Sequence, residues 1–287
     1  MIPERVWYSL IATFSLSLTI FYRKIALLNG VPPFTLLLQI IVIAALVINL
    51  NLLLFQKKCI SDIKKIEPYE WTMILLAGFF FFIAYLTGTF GLRFTTSINY
   101  SFLIRSSLMF SPILSYFLLQ EKMYREMIII ILVFFAGAYL VSTAGQIIIP
   151  HSGDLLILLS ALFFALFSIS QKMANKKVSP VLICWGVLSS SALYSVAASL
   201  FFKINIFSKE AFFIVLLAGF FEALVDIFMN KTLKVASVTY YYMMTMLSPI
   251  ISGFLGVIFI TEPFGLIQVF GGIIIILSVI YAQRLKI

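Results

Sequence analysis

The sequence predicts an all-α integral membrane protein, with ten transmembrane helices arranged as two inverted five-helix repeats. The prediction depends on composition, on the apolar runs and on an internal repeat. Hydrophobic residues make up 62% of the 287 residues and charged residues only 11%, and the mean hydropathy is +1.12. A soluble domain has about 45–50% apolar and about 25% charged residues. The composition therefore indicates a chain that is folded in a lipid bilayer.

Ten apolar runs follow one another along the chain. A helix needs about 20 apolar residues to cross a hydrocarbon core of roughly 30 Å. Runs of this length are predicted to be helices, because inside a bilayer every backbone polar group must be satisfied within the chain, and barrel strands would be shorter and would alternate. The runs cover residues 5–25, 34–55, 71–91, 98–118, 127–145, 154–171, 181–202, 211–230, 237–259 and 264–283. The connectors, such as residues 29–33 and 150–153, carry Pro, Gly and Asn and are too short to hold a soluble domain.

The internal repeat relates the first five runs to the last five. A shift of 141 aligns residues 77–121 with residues 218–262 without a gap, and a shift of 148 places Lys24 on Lys172. The predicted repeats cover residues 1–145 and 154–287. Because each contains an odd number of helices, the second repeat enters the membrane upside down relative to the first. Carriers with a substrate site at the midplane, between the halves, use this architecture.

The basic residues predict the orientation. Most of the 20 Lys and Arg residues fall in connectors that share one side when the N-terminus is cytoplasmic, as the positive-inside rule requires. The prediction is a multi-pass protein of a bacterial-type cytoplasmic membrane, with both termini in the cytoplasm. The net charge of +9 is then explained by basic connectors on the cytoplasmic side of the lipid bilayer, which is the expected partner, and no nucleic acid partner is expected. Arg23 and Lys24 are expected to extend to the outer interface.

No pattern in the sequence predicts catalysis. The chain has two cysteines in unlike settings, a single histidine at His151 and no glycine-rich phosphate loop, so neither a metal site nor a nucleotide site is indicated. We expect no enzyme activity, no metal and no cofactor. Any transport would be secondary, driven by an ion gradient, by exchange or by the gradient of the substrate itself.

Three charged residues lie in the interior of predicted spans, away from the span ends: Arg105, Glu222 and Asp226. Each costs at least about 2.5–3.5 kcal/mol at a helix centre on insertion scales, so such residues are functional candidates. Glu222, Asp226 and Asn230 are spaced by four and share one face of the eighth span. The shift of 141 maps this stripe onto Phe81, Tyr85 and Thr89 of the third span.

The same shift places Ser101 and Arg105 on Tyr242 and Met246. We therefore expect the third, fourth, eighth and ninth spans to turn these faces toward one cavity. The predicted substrate-binding residues are Arg105, Glu222, Tyr85, Ser101, Tyr242 and Met246. Asn230 and Thr89 are expected to extend its polar stripe.

Arg105 and Glu222 are predicted to lie at similar depth, with Arg105 binding an anionic group and Glu222 as its resting counter-charge. Glu222 and Asp226 are predicted to couple transport to protons, because two carboxylates this close in a low dielectric disfavour double ionisation. The alternative interpretation is that the three charges pair only to hold the helices together.

A further set of residues describes helix ends and packing. A basic residue closes the third helix of each repeat, and a glutamate follows the fourth, where it is expected to begin the next helix and complement its dipole. The set comprises Arg93, Lys234, Glu121, Glu262, Ser248, Pro249, Gln268, Gly271 and Gly272. With these motifs the chain resembles the EamA branch of the drug/metabolite transporter superfamily. In the first repeat Leu108 stands in place of Pro249 and Met127 in place of Gln268. The resemblance implies a cavity bounded mainly by the third and fourth helices of each repeat, and transport by alternating access.

The predicted function is secondary transport of a small polar metabolite, such as an amino acid or a related amphoteric solute, by export or exchange. The mixed charges and the tyrosines Tyr240, Tyr241 and Tyr242 favour such a substrate. The alternative is a nucleotide-linked metabolite, such as a nucleotide sugar or an adenosyl compound. A third hypothesis, from another class, is a membrane-embedded enzyme or a lipid-handling protein. The sequence leaves open whether the carrier is a monomer or a homodimer.

Overall fold

The computed structural model describes residues 3–92, 94, 100, 102–122, 125–147, 151–205, 207–260 and 265–284, and every regular element in these ranges is helical. The first half contains α1 (Glu4–Leu28), α2 (Pro33–Phe55), α3 (Pro68–Leu92), α4 (Ser107–Leu119) and α5 (Arg125–Thr143). The second half contains α6 (Asp154–Ala174), α7 (Pro180–Phe202), α8 (Phe212–Val235), the two segments of α9 (Val238–Thr245 and Ser248–Ile260) and α10 (Leu266–Arg284). A short helix, Lys57–Asp62, and a 3-10 turn, Ile63–Lys65, connect α2 to α3.

Seven candidate spans in the described residues are long and apolar enough to cross a membrane: α1, α2, α3, α6, α7, α8 and the whole of α9. The segments Ile104–Leu119 and Leu266–Tyr281 are apolar but shorter. Large apolar side chains also point outward, with Phe117 73% exposed and Phe201 81% exposed. Together with the apolar helices, this outer surface makes the chain an integral, multi-pass membrane protein. The count of ten spans, the repeat boundaries and the orientation remain predictions.

The helix contacts are symmetric between the halves. α3 packs along α6, and the helices that correspond to them under the repeat, α8 and α1, pack along each other in turn. The contact of α2 with α8 is likewise matched by that of α7 with α3, while α5 pairs with α10. Exchanging the two halves thus converts each of these main contacts into another that exists. The halves are interleaved, and the space between α1, α3, α6 and α8 belongs to both.

Close backbone approach holds the crossed helices together. A Cβ atom added to Gly153, at the beginning of α6, would lie 2.2 Å from the carbonyl oxygen of Gly91 near the end of α3. A Cβ on Gly271 of α10 would lie 2.8 Å from the carbonyl oxygen of Gly137 in α5. Small residues at such crossings allow the van der Waals packing that drives helix association in a bilayer.

Two helices are interrupted at equivalent positions. α9 breaks between Thr245 and Ser248, next to Pro249 in the sequence, and a proline has no amide hydrogen with which to continue the preceding helix. Before α4, residues Ile104–Ser106 form a 3-10 turn, and the shift of 141 maps this turn onto residues 245–247. The first repeat therefore keeps the break without the proline. The predicted spans 98–118 and 237–259 are wrong in being continuous helices.

Candidate functional site

A cavity of about 370 Å³ lies between the two halves. Its walls come from α1, α2 and α3, from the 3-10 turn and first residue of α4, and from α6, α8 and both segments of α9. The third and fourth helices of each repeat were predicted to bound a cavity, and all four contribute. α1, α2 and α6 contribute as well, which the sequence analysis missed.

Most of the predicted site residues share this wall. The cavity is lined by Arg105, Glu222, Tyr85, Tyr242, Met246, Asp226 and Thr89. Asn230 is fully buried and is not part of the lining. Ser101 lies outside the described residues, as do Arg93 and Glu262.

Glu222 is held by a tyrosine and faces a different arginine from the one predicted. The Tyr85 hydroxyl donates to Glu222 Oε1 at 2.9 Å, and Oε2 is buried without a hydrogen-bond partner among the described residues. The Arg23 guanidinium interacts electrostatically with Glu222, and its central carbon lies 5.2 Å from the centre of the Tyr85 ring. The expectation that Arg23 extends to the outer interface is wrong, because Arg23 lines the cavity.

Arg105 lies on the cavity wall inside the 3-10 turn that precedes α4. Its Nε is buried and has no hydrogen-bond partner in the described part of the chain, and no ion pair joins it to a described carboxylate. The predicted resting pair of Arg105 with Glu222 is therefore corrected. The depth argument left out α1, which packs along α8 and places Arg23 beside Glu222.

Asp226 forms a second polar centre, one turn further along α8. Gln171 Nε2 of α6 donates to Asp226 Oδ1 at 2.6 Å, and Asn230 donates to the backbone carbonyl of Asp226 at 2.9 Å. Oδ2 is buried and unpartnered among the described residues. Under the repeat Gln171 corresponds to Arg23 and Asp226 to Tyr85. The contact between α1 and α3 in one half thus has its counterpart between α6 and α8 in the other.

The remaining polar groups of the predicted wall are satisfied within the protein. The Tyr242 hydroxyl lies 2.6 Å from the carbonyl oxygen of Phe164 and 2.7 Å from Ser168 Oγ. The Thr89 hydroxyl donates to the carbonyl of Tyr85 at 2.8 Å. Tyr240 does not line the cavity, and the Arg5 guanidinium lies 5.1 Å from its ring centre. The described side chains include no group of three His, Cys, Asp or Glu that could hold a metal ion.

One end of the bundle, which we call the closed face, is sealed where α6 and α8 end. Lys172 of α6 donates to the carbonyls of Leu233 and Ala236 at the end of α8, and Lys234 of α8 donates to the carbonyl of Asn175, which caps α6. Each helix thus supplies a cation to the C-terminal carbonyls of the other, where the helix dipole favours it. In the predicted orientation the closed face is cytoplasmic.

An ion pair joins the halves at the same face. Lys177, between α6 and α7, lies 2.7 Å from Glu67 and 3.7 Å from Glu70, at the beginning of α3. The cavity reaches the surface at the opposite end, where its lining residues Lys24 and Leu27 near the end of α1 are exposed. In the part of the chain that the structure describes, the cavity is therefore open at one face and closed at the other.

Glu121 also lies at the closed face, although not where the sequence suggested. It follows α4 and precedes the beginning of α5 at Arg125. The backbone N–H of Val238, at the first turn of α9, and the Lys172 ammonium both stabilise the charged carboxylate. Burial outweighs them and raises the pKa of Glu121 above its ordinary value of 4.5. Glu121 thus complements the dipole of α9, and the expectation that it begins α5 is wrong.

Comparisons with known proteins agree with the repeat. The model of the EamA-like transporter family matches twice, over residues 5–143 and 151–282. Among 29 solved chains that match the fold, one titled "Crystal structure of protein" superimposes with a TM-score of 0.76 at 15% sequence identity, covering 96% of this chain and 98% of that one. None of the curated proteins matches the sequence.

Proposed function

Since the chain belongs to the EamA-like transporter family, we propose that it is a secondary carrier of a small amphoteric metabolite, such as an amino acid. One observation carries the proposal. Three charged side chains, one basic and two acidic, line the cavity. Each has a buried polar atom with no hydrogen-bond partner among the described residues: Arg105 Nε, Glu222 Oε2 and Asp226 Oδ2. Buried polar atoms are normally hydrogen-bonded, so such exceptions require an explanation. A solute with a carboxylate and an ammonium would supply the missing donors and acceptors.

The size and shape of the cavity favour a small solute. Its volume of about 370 Å³ is at the lower end of the roughly 300–1,000 Å³ of ligand pockets. The aromatic rings on the wall pack against one another. Tyr85 meets Phe81 at 75° and Phe164 at 76°. In this described edge-to-face cluster, Tyr85 is parallel to neither neighbouring ring, so no base could stack between them, which favours a small solute over a nucleotide-linked one.

Alternating access is supported by the asymmetry of the closed and open faces. The second state would exchange the roles of the two halves, because every main helix contact has a symmetric counterpart. The equivalent breaks at Ile104–Ser106 and after Thr245 are positions where α4 and α9 can bend. Broken helices at the substrate site are a common feature of such carriers. Export or exchange remains the proposed direction.

Proton coupling is proposed for Glu222 and Asp226. Both carboxylates are only 4% exposed and lie one turn apart on α8, so ionising both at once is costly. If one of them carries the coupled proton, Asp226→Asn should retain exchange and lose accumulation driven by a pH gradient. Unchanged pH dependence in both Asp226→Asn and Glu222→Gln would exclude this coupling.

The proposed function is tested by counterflow into proteoliposomes, with radiolabelled amino acids in one series and nucleotide sugars in another. We expect amino acids to exchange and nucleotide sugars not to exchange. Arg105→Gln should abolish the exchange, whereas Arg105→Lys should weaken it, because lysine keeps the charge but loses the planar donor geometry. Arg125→Gln is the matched control, since Arg125 is exposed at the beginning of α5. Normal exchange by Arg105→Gln, or exchange of nucleotide sugars alone, would refute the proposal.

A further inference from the structure

We infer that the protein binds an alkali metal ion, such as Na⁺, between α6 and α8, with oxygen ligands from Gln171, Asn175 and Asp226. The site goes beyond the proposed solute. Each of these residues has a side-chain oxygen that is buried without a hydrogen-bond partner among the described residues: Gln171 Oε1, Asn175 Oδ1 and Asp226 Oδ2. The three residues are exposed by 0%, 2% and 4%. Buried polar atoms are normally hydrogen-bonded, so three neighbouring exceptions indicate a ligand.

Hydrogen bonds gather these residues on facing turns of α6 and α8. Gln171 Nε2 donates to Asp226 Oδ1 at 2.6 Å, and Asn175 Nδ2 donates to Asn230 Oδ1 at 3.2 Å. Asn230 Nδ2 in turn donates to the backbone carbonyl of Asp226 at 2.9 Å. Turning over the amide of Gln171 or Asn175 would place its oxygen against another acceptor oxygen, so these contacts assign the two ends of each amide. The unpartnered ends are therefore acceptors.

Asp226 has no cation beside it among the described residues. The titratable groups that interact with it there are Glu222 on the same helix, Cys184 of α7 and Tyr241 of α9, and none of these is basic. The described ion pairs do not include Asp226. Glu222, in contrast, interacts with the Arg23 guanidinium. Because a buried carboxylate without a counter-charge is costly, one positive charge is expected at Asp226.

The three oxygens favour a metal ion over other cations. A proton would satisfy Asp226 Oδ2 and leave both amide oxygens without a partner. The ammonium of a solute can reach Asp226, which lines the cavity, but Gln171 and Asn175 are not part of the lining. A bare ion can contact all three, and hard cations take carboxylate and amide oxygens as ligands. Since the site contains one carboxylate, a monovalent ion balances it, whereas a divalent ion would leave a buried excess charge.

Asp226 links the ion site to the cavity. An ion that enters from the open face meets this carboxylate on the cavity wall and passes behind it to the amide oxygens. The ion would take the place of the proton that the proposed coupling assigns to Asp226, so the two exclude each other at this residue. Glu222 Oε2, which is also unpartnered among the described residues, then remains for the ammonium of the solute.

The test measures ion binding without transport. Thermal unfolding of the purified protein in detergent micelles is followed while NaCl replaces choline chloride at constant ionic strength. A ligand that binds only the folded state raises the unfolding temperature, and we expect a saturable rise as Na⁺ replaces the bulky organic cation. Asp226→Asn should abolish this rise. Equal unfolding temperatures of the wild-type protein in the two salts would overturn the inference.

Asn175→Ala distinguishes a site of three oxygens from an ion held by Asp226 alone. The change removes one amide oxygen and leaves the carboxylate and its bond to Gln171. The Na⁺ concentration at half of the maximal rise should therefore increase roughly tenfold or more, since one contact to a charged group is lost. Asn49→Ala is the matched control, because Asn49 of α2 is hydrogen-bonded to other residues, namely Ala45, Ser189 and Trp185. An unchanged Na⁺ response in Asn175→Ala would overturn the site.

The outcomes distinguish this inference from the proposed function. Amino acid exchange by a protein whose unfolding temperature does not respond to Na⁺ would overturn the ion site and leave the proposed function in place. A Na⁺ response that both Asp226→Asn and Asn175→Ala weaken, in a protein that exchanges no amino acid in the presence of Na⁺, would support the ion site and refute the proposed function.

Discussion

Replacing Tyr85 by phenylalanine removes a single oxygen atom and tests whether the Tyr85 hydroxyl stabilises the Glu222 carboxylate. Among the described residues, the Tyr85 hydroxyl is the one hydrogen-bond donor to Glu222, at 2.9 Å from Oε1, and Glu222 Oε2 already has no partner there. Tyr85→Phe would leave a carboxylate that is 4% exposed without a donor. The aromatic ring would remain, and with it the contact of Arg23 with the ring face.

The expected cost follows from the charge of the acceptor. A hydrogen bond to a charged group contributes about 1.5–3 kcal/mol, whereas one between neutral groups contributes about 0.5–1.5 kcal/mol. Tyr85→Phe should therefore destabilise the fold by about 1.5–3 kcal/mol in the wild-type background. In the Glu222→Gln background, where the acceptor is neutral, the same change should cost only about 0.5–1.5 kcal/mol.

Equilibrium unfolding in mixed detergent micelles, applied to both single variants and the double variant, measures this difference. Tyr194→Phe serves as the control, because Tyr194 packs against the rings of Phe79 and Phe82 and its hydroxyl makes no hydrogen bond among the described residues. Its cost should stay within about 0.5 kcal/mol. Equal costs for Tyr85→Phe in the two backgrounds, or a cost no larger than that of Tyr194→Phe, would refute the reasoning.

Two further predictions concern helix ends, and a third concerns the membrane topology. Burial raises the pKa of Glu121 above 4.5, so the folded state prefers the protonated carboxyl, and the free energy of unfolding should fall as the pH rises through the pKa of Glu121. Glu121→Gln should flatten that part of the pH–stability curve. An unchanged curve would contradict the burial of Glu121. Gly153→Ala should lower the unfolding temperature, because the added carbon would lie 2.2 Å from the Gly91 carbonyl oxygen; an unchanged temperature would show that the two helix ends separate easily. In intact cells an impermeant maleimide should label Ser152→Cys and leave Cys59 unlabelled until the membrane is permeabilised; labelling of both would invalidate the predicted topology.

The sequence contained enough information for the repeat and for most of the cavity wall. The shift of 141 brought Glu222, Asp226 and Tyr85 to equivalent faces, and the fold places all of them on one cavity. This works because a helical stripe depends only on local spacing. The intramembrane charges were also a useful guide, because an ionisable side chain within a span faces the protein interior or a cavity, whichever neighbour it meets there.

What the sequence could not give was the partner of each charge. Arg23 was assigned to the interface because a long side chain near a helix end reaches water at little cost, yet α1 crosses beside α8 and brings Arg23 to the cavity. The repeat carried a signal that could have shown this, since Arg23 aligns with Gln171, which is also polar. The break before α4 was hidden for another reason. In the sequence, Pro249 indicates the break in α9, whereas its counterpart Leu108 gives no signal of a break.

At the closed face, α6 and α8 each supply a lysine that binds carbonyls at the end of the other helix, so both contacts must break together when this face opens. Lys172 donates to carbonyls at the end of α8, and Lys234 donates to the carbonyl of the residue that caps α6. When the two helix ends separate, both lysines lose their acceptors and both helix ends lose their cations together. In the proposed alternating-access cycle, an intermediate with both faces open would therefore be disfavoured. We propose that this cooperativity limits the leakage of ions during the transport cycle.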